Sequence, residues 1–269
     1  MTRRRHPPTR LSSNSSSRRS NWCASRIVSD LLLRLIGAIL LALAPALAAA
    51  ADLQVSPVRV ILDPRQSSAV MTLTNRGTTD SLLQLSVMSW TQGPDGESLM
   101  PTRDILANPG VFLLKAGEQQ IARFALRVAP DAKERSYRIV LQEVPRQRVD
   151  NGLATVLRLL VPVFVPPPNP TASLEWSARM VSGDLEIRAR NTGTVHVQIK
   201  AVKLSGDRVA PVGTTSNIYV LPGSTRTVRV PVTSAVKAGS VLQIVAETDQ
   251  QSFNAGVVVG AAEGVPAQP

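Results

Sequence analysis

The chain has 269 residues with a formal net charge of +11, 3% aromatic residues, one cysteine and two histidines. So few aromatics deny it the stacking platforms on which single-stranded nucleic acids are held. A lone cysteine excludes a disulfide framework. The charge is also uneven: of the 30 basic residues eight arginines fall in residues 1–50, with only Asp30 of the 19 acids, so the remainder carries about +4. A basic leader sets the high pI, and nucleic acid is not expected as a partner.

That leader reads as a secretory signal. A basic, Ser-rich stretch (residues 1–26) precedes the apolar "LLLRLIGAILLALAPALAAA", which closes on Ala48-Ala49-Ala50. Charged n-region, apolar h-region and small-residue cleavage site follow in the order of a signal peptide. Cleavage is expected near Ala50, giving a mature chain from Ala51 or Asp52. The rival is an uncleaved anchor, for which the apolar stretch is nearly long enough; Arg34, Pro45 and the closing alanines favour cleavage. Cys23, in "SNWC", does not precede a small-residue junction and is not read as a lipid-attachment site.

Beyond the leader, period two dominates. "LQVSPVRVIL" (53–62), "AVMTLTN" (69–75), "SLLQLSVMSW" (81–90), "GVFLLKAGEQQIARFALRVAP" (110–130) and "YRIVLQEVP" (137–145) alternate or run apolar between turn residues. Residues 102–108, "TRDILAN", are the one place where a short turn of helix is expected. "LRLLVPVFVPPPNP" (157–170) then passes from a strand into a proline block, which stiffens the chain and cannot continue a ladder. Further short strands follow, with turns at Gly183-Asp184 and Asn191–Gly193. Short strands with turn signals every eight to twelve residues indicate an all-β fold. Two β-sandwich domains, 52–166 and 171–260, joined by a short Pro-rich linker, are expected.

Groups for catalysis are scarce. After the leader only His196 remains, and its neighbours place it on the polar, solvent-facing side of a strand. Asp95/Glu97, Asp131/Glu134 and Asp184/Glu186 sit beside turns, where solvation explains them better than acid–base pairing. There is no G-x-S-x-G elbow, P-loop or H-E-x-x-H, and no His or Cys pair for zinc. No enzyme activity, cofactor, metal or small-molecule substrate is expected.

The pattern "VSPVRVILDP", then "SYRIVLQEVP", then "LRLLVPVFVPPPNP", behind a signal peptide, resembles the periplasmic pilus chaperones of the chaperone–usher pathway, the PapD-like proteins. The resemblance covers residues 52–260 and is more specific in the first half. It implies a boomerang of two immunoglobulin-like domains in the periplasm, working without ATP. It further implies that an edge strand is lent to pilus subunits lacking their last strand, for delivery to an outer-membrane usher. In such strand addition, main-chain bonds give affinity and alternate side chains fill pockets. Leu153, Thr155, Leu157 and Leu159 are the implied donor residues, while Val161, Val163 and Phe164 read as core. An apolar edge is otherwise an aggregation hazard, so it invites a covering partner, whether a subunit or a second copy capping the same edge.

The same resemblance implies two cations that anchor a subunit's C-terminal carboxylate. Arg59 occupies the place of the first, and a guanidinium fork suits a carboxylate. The second, a lysine, falls at Pro162, leaving Arg158 as the substitute. The family's interdomain salt bridge would use Glu143, but its arginine partner is replaced by Pro166. These departures point to a divergent archaic or alternative branch. The competing expectation is a secreted immunoglobulin-like structural or binding module that works through its loops.

Overall fold

The computed structural model describes residues 52–145, 156–181, 184–206, 209–230 and 236–260. The expected donor residues Leu153 and Thr155 lie outside the described residues, as does the leader. No helix occurs among the described residues. The first sandwich holds β1 (Leu53–Ser56), β2 (Val60–Ile61), β3 (Ser68–Asn75), β4 (Ser81–Gly93), β5 (Gly96–Pro101), β6 (Ile105–Asn108), β7 (Val111–Leu114), β8 (Gln119–Leu126), β9 (Arg135–Glu143) and β10 (Arg158–Val165). The second holds β11 (Leu174–Val181), β12 (Asp184–Asn191), β13 (Val197–Gly206), β14 (Val209–Val220), β15 (Thr225–Val230), β16 (Val241–Thr248) and β17 (Ser252–Gly260).

In the first sandwich a sheet of order β1-β3-β8-β6 faces a sheet of order β2-β10-β9-β4-β5, with β7 also paired to β4. Period two puts Met71, Leu73, Phe124, Ile139, Leu141 and Val163 into the space between them. Alternate residues such as Val70 and Ile121 stay exposed, as expected of antiparallel sheets with one wet face. Residues 102–108 do not form a turn of helix. Ile105 is buried, Leu106 exposed, Ala107 half-buried and Asn108 exposed, and their main chain pairs with β8. A period of two, with a partner strand at hand, wins over the local helical preference.

The second sandwich follows the path β14-β13-β16-β17-β11-β12-β15. Its core is made by Leu185 and Ile187 of β12 meeting Ile199, Val202 and Leu204 of β13 and Leu242 and Ile244 of β16.

The two sandwiches share one corner device. Asn75-Arg76-Gly77 in the first matches Asn191-Thr192-Gly193 in the second. Each asparagine is buried and takes the N–H of its glycine on Oδ1, at 3.0 and 2.9 Å. Each donates from Nδ2 to two carbonyls: Thr79 and Leu114 for Asn75, Val195 and Val220 for Asn191. Each main-chain oxygen accepts from a turn glycine, Gly117 or Gly223, whose φ is +78° or +79°, a region glycine enters without strain.

β10 is buried more deeply along its length, from exposed Arg158 to five consecutive buried residues, Val161–Val165. Its odd-numbered residues from Leu159 to Val165 point into the first core. Phe164 points the other way and joins Trp90 and Leu221 in a separate cluster between the sandwiches, not the first core. A strand covered on both faces reads as an unbroken apolar run, which is the pattern of residues 159–165.

Candidate functional site

β10 pairs along its whole length with β9, from Arg158↔Gln142 to Val165↔Arg135. On its other side β2 covers only Val163 and Phe164. The direction of each peptide follows from two bonds. Glu143 N–H donates to the Leu157 oxygen, so odd-numbered residues face β9. Leu62 N–H donates to the Phe164 oxygen, so even-numbered residues face outward. Main-chain groups alternate in this way along any antiparallel ladder. Arg158 and Leu160 therefore present N–H and C=O groups to an edge that no described strand fills. Pro162, which has no N–H, sits where its nitrogen faces away from β9 and costs no ladder bond. Val156 and Leu160 are nearly half exposed beside this edge, while Leu157 and Leu159 are half-buried, Leu159 against the first core.

A polar cleft adjoins the deep end of β10. Arg59, just before β2, reaches across to the second sandwich. Its Nη1 lies 2.7 Å from Asp249 Oδ2, and its Nη2 donates to Gln198 Oε1 and, at 3.1 Å, to Tyr219 Oη. Asp249 also accepts the Gln198 N–H at 2.8 Å. Burial works against the Asp249 charge, but nearby His196 and bonds from the Gln198 N–H and Arg59 outweigh it and hold the carboxyl at about 2. Burial works against the Arg59 charge too, and the bonds to Tyr219 and Asp249 overcome it, so the guanidinium stays charged.

His196 is not on a wet face. It is 3% exposed, and its ring stacks on Phe164 with centroids 3.5 Å apart. The alternation of its neighbours placed it opposite the core of its own sandwich, but the other sandwich covers that side. Glu134 crosses to meet it: Oε1 accepts from the His196 N–H at 3.0 Å and lies 2.8 Å from Nδ1. Glu134, expected beside a solvated turn, is buried. Elsewhere in the interface, Gln92 takes the Leu221 N–H and the Ser224 hydroxyl on Oε1, and Arg226 pairs with Glu97 at 2.7 Å.

Arg138 is the cation that the sequence reading missed. It stands directly opposite Pro162 across the β9–β10 ladder. Its guanidinium lies 3.6 Å from the Trp90 ring centroid and 5.4 Å from that of Tyr219. The buried Nε has no hydrogen-bond partner, and burial lowers its pKa. Arg59 approaches the same Tyr219 ring, at 5.6 Å. The cleft thus brings two guanidinium groups to one tyrosine.

The remaining expected residues are distributed as follows. Arg158 is exposed, four residues up the strand from Pro162, about 13 Å at strand rise. Glu143 is not an interdomain residue: its Oε1 accepts from Ser81 Oγ within the first sandwich, and Glu134 is the acid that crosses. Pro166 is half-buried at the start of the linker, followed by buried Pro167. Among the described residues no group of three or more His, Cys, Asp or Glu gathers as a metal site would require.

Residues 52–171 match the family described as pili and flagellar-assembly chaperone, PapD N-terminal domain. That match spans the whole of the first sandwich. No curated protein matches the sequence. Among solved structures, the chain is similar to the CsuC–CsuE chaperone–tip adhesion subunit pre-assembly complex from archaic chaperone-usher Csu pili of Acinetobacter baumannii. That match has 21% identity and a TM-score of 0.59, covering 78% of this chain and 99% of that one. It is also similar to the Salmonella enterica SafA pilin–SafB chaperone complex, with 17% identity, a TM-score of 0.52, and 77% and 96% covered. A third similar structure is the E. coli chaperone DraB, with 19% identity, a TM-score of 0.51, and 76% and 98% covered. The chain has the pilus-chaperone fold across both sandwiches.

Proposed function

We propose that this chain is a periplasmic chaperone that holds pilus subunits by lending them the outer edge of β10, for delivery to an outer-membrane usher. The observation that carries the reading is the outer edge of β10 from Arg158 to Pro162, which no described strand pairs, flanked by apolar side chains and followed by a cationic cleft. A sheet edge left open is a template for another chain. Strand addition there would set Leu157 and Leu159, with Leu153 and Thr155 before them, in the incomplete fold of the subunit. Arg59 and Arg138, beside Tyr219, would receive the subunit's terminal carboxylate, Arg138 standing in for a cation at position 162. Delivery requires a second surface, and Val70, Leu106 and Ile121 leave an apolar one on the outward face of the β3-β8-β6 sheet. The chaperone acts by binding alone, with no catalytic step.

Co-purification from periplasmic extract of a strain expressing the surrounding genes tests this. The tagged chain is expected to bring down a small secreted β protein in about equal amount, and Leu157→Asp with Leu159→Asp should lose it. Recovery of a folded, solitary chain would instead favour a structural module working through its loops.

A further inference from the structure

The contacts of Asp249 carry an inference about how this cleft is regulated. A single oxygen, Oδ2, lies 2.7 Å from Arg59 Nη1 and 3.5 Å from His196 Nε2. On the other side of the imidazole, Nδ1 is committed to Glu134 Oε1 at 2.8 Å. A carboxylate only accepts, so Nδ1 carries a proton. In the neutral ring Nε2 must then turn a lone pair toward Asp249 Oδ2, and only the imidazolium places an N–H there. Nε2 is buried and has no closer partner.

We propose that Asp249 is a counter-ion shared by Arg59 and His196, so that a proton taken up on His196 loosens Asp249's hold on Arg59 and readies Arg59 for an incoming carboxylate. By reciprocity, a carboxylate bound at Arg59 promotes proton uptake at His196. The carboxylate half rests on the function proposed above; the shared counter-ion does not.

The groups facing His196 support this. Glu134 comes from the approach to β9, Asp249 from the end of β16, Arg59 reaches it through Asp249, and the Tyr219 ring of β14 lies 5.7 Å away with Arg138 beyond it. Phe164 of β10 closes one face of the ring without charge. Burial opposes the imidazolium, but the facing carboxylates of Asp249 and Glu134 outweigh it and raise the pKa above the ordinary 6.5. A raised value means that the attraction is complete below 6.5 and fades as pH climbs through the folded value. Asp249 therefore belongs to Arg59 alone on the alkaline side and is divided on the acid side.

The test is an NMR titration of the His196 ring in the full chain, its signal separated from that of His6 by a His196→Gln spectrum. Arg59→Gln should raise the His196 midpoint by about half a pH unit or more, since Asp249 then serves one cation. Asp249→Asn should lower it, and Arg59→Lys, which keeps the charge, should leave it near the parent value and shows that the site still folds. An Arg59→Gln midpoint that stays put or falls overturns the shared counter-ion. For the second half, the co-purified subunit should bind about threefold more tightly at pH 6 than at pH 8, and His196→Gln should flatten that ratio. A ratio unchanged by His196→Gln overturns the linkage. If no subunit is captured at all, the proposed function and the binding half fall together, while the titration still decides the counter-ion.

Discussion

Pro162 and Arg138 face one another across the β9–β10 ladder, at a pair where the two main chains exchange no hydrogen bonds. Such pairs bring side chains closest together. Arg138 therefore brings a cation from the neighbouring strand to nearly the place of Pro162. The Trp90 ring fixes the direction of the guanidinium from below, and a cation over an indole face is worth about 0.5–2 kcal/mol.

Arg138→Met keeps the length and much of the packing over Trp90 but removes the charge. Subunit capture should weaken about tenfold, the equivalent of roughly 1.4 kcal/mol, while the thermal midpoint falls by only about 2–4 °C. Affinity and melting measured side by side check this. Equal capture by the variant would mean that Arg59 anchors alone.

Leu160 offers its N–H to the outer edge. Leu160→Pro deletes that donor without touching a β9 bond, so stability should change by less than about 1 kcal/mol, as at edge positions where proline is tolerated. Capture should fall at least tenfold, because the ring also obstructs the approach of a partner strand. Denaturant unfolding and a co-purification assay give the two numbers.

Asn191→Ala removes three buried bonds at the second corner, leaving the Val195 and Val220 carbonyls and the Gly193 N–H without their partner. A cost of roughly 2–4 kcal/mol is expected from unsatisfied buried groups. Asn75→Ala should behave alike in the first sandwich, since the two asparagines make matching bonds. Urea unfolding of each variant checks both.

Asp249 gives the interface an acid limit. Its carboxyl is held at about 2, below the ordinary 3.8. A lowered value contributes stability that is complete above 3.8 and is lost as pH falls toward 2. The difference in melting temperature between the parent and Asp249→Asn should therefore be steady from pH 5 upward, apart from the His196 contribution above 6.5, and should shrink between pH 4 and pH 2. A difference that persists unchanged at pH 2 would contradict the assignment.

Much of the fold was legible because it rests on period two. The alternation in "AVMTLTN" and the unbroken run of residues 159–165 each reported how many faces of the strand are covered. "TRDILAN" misled because a four-residue edge strand offers too few alternations to outweigh local preference. The cleft was harder to read. Arg59 was reached through the family resemblance of "VSPVRVILDP", but Arg138, Tyr219 and Asp249 come together only once the β9–β10 register and the packing of the two sandwiches are known. His196 and Glu134 show the limit most clearly. By its neighbours His196 reads as polar face and Glu134 as a solvated turn, and neither sequence nor period shows that a second sandwich will cover them.

The most direct test of strand lending is amide hydrogen exchange, resolved by residue, in the free chain and in its complex with a captured subunit. The N–H groups of Arg158 and Leu160 face the open edge and should exchange quickly in the free chain and slowly in the complex. Those of Leu159 and Val161 face β9 and should be protected in both, which makes them an internal control. Fast exchange at Arg158 and Leu160 in a stable complex would show that the subunit is held somewhere other than the edge of β10.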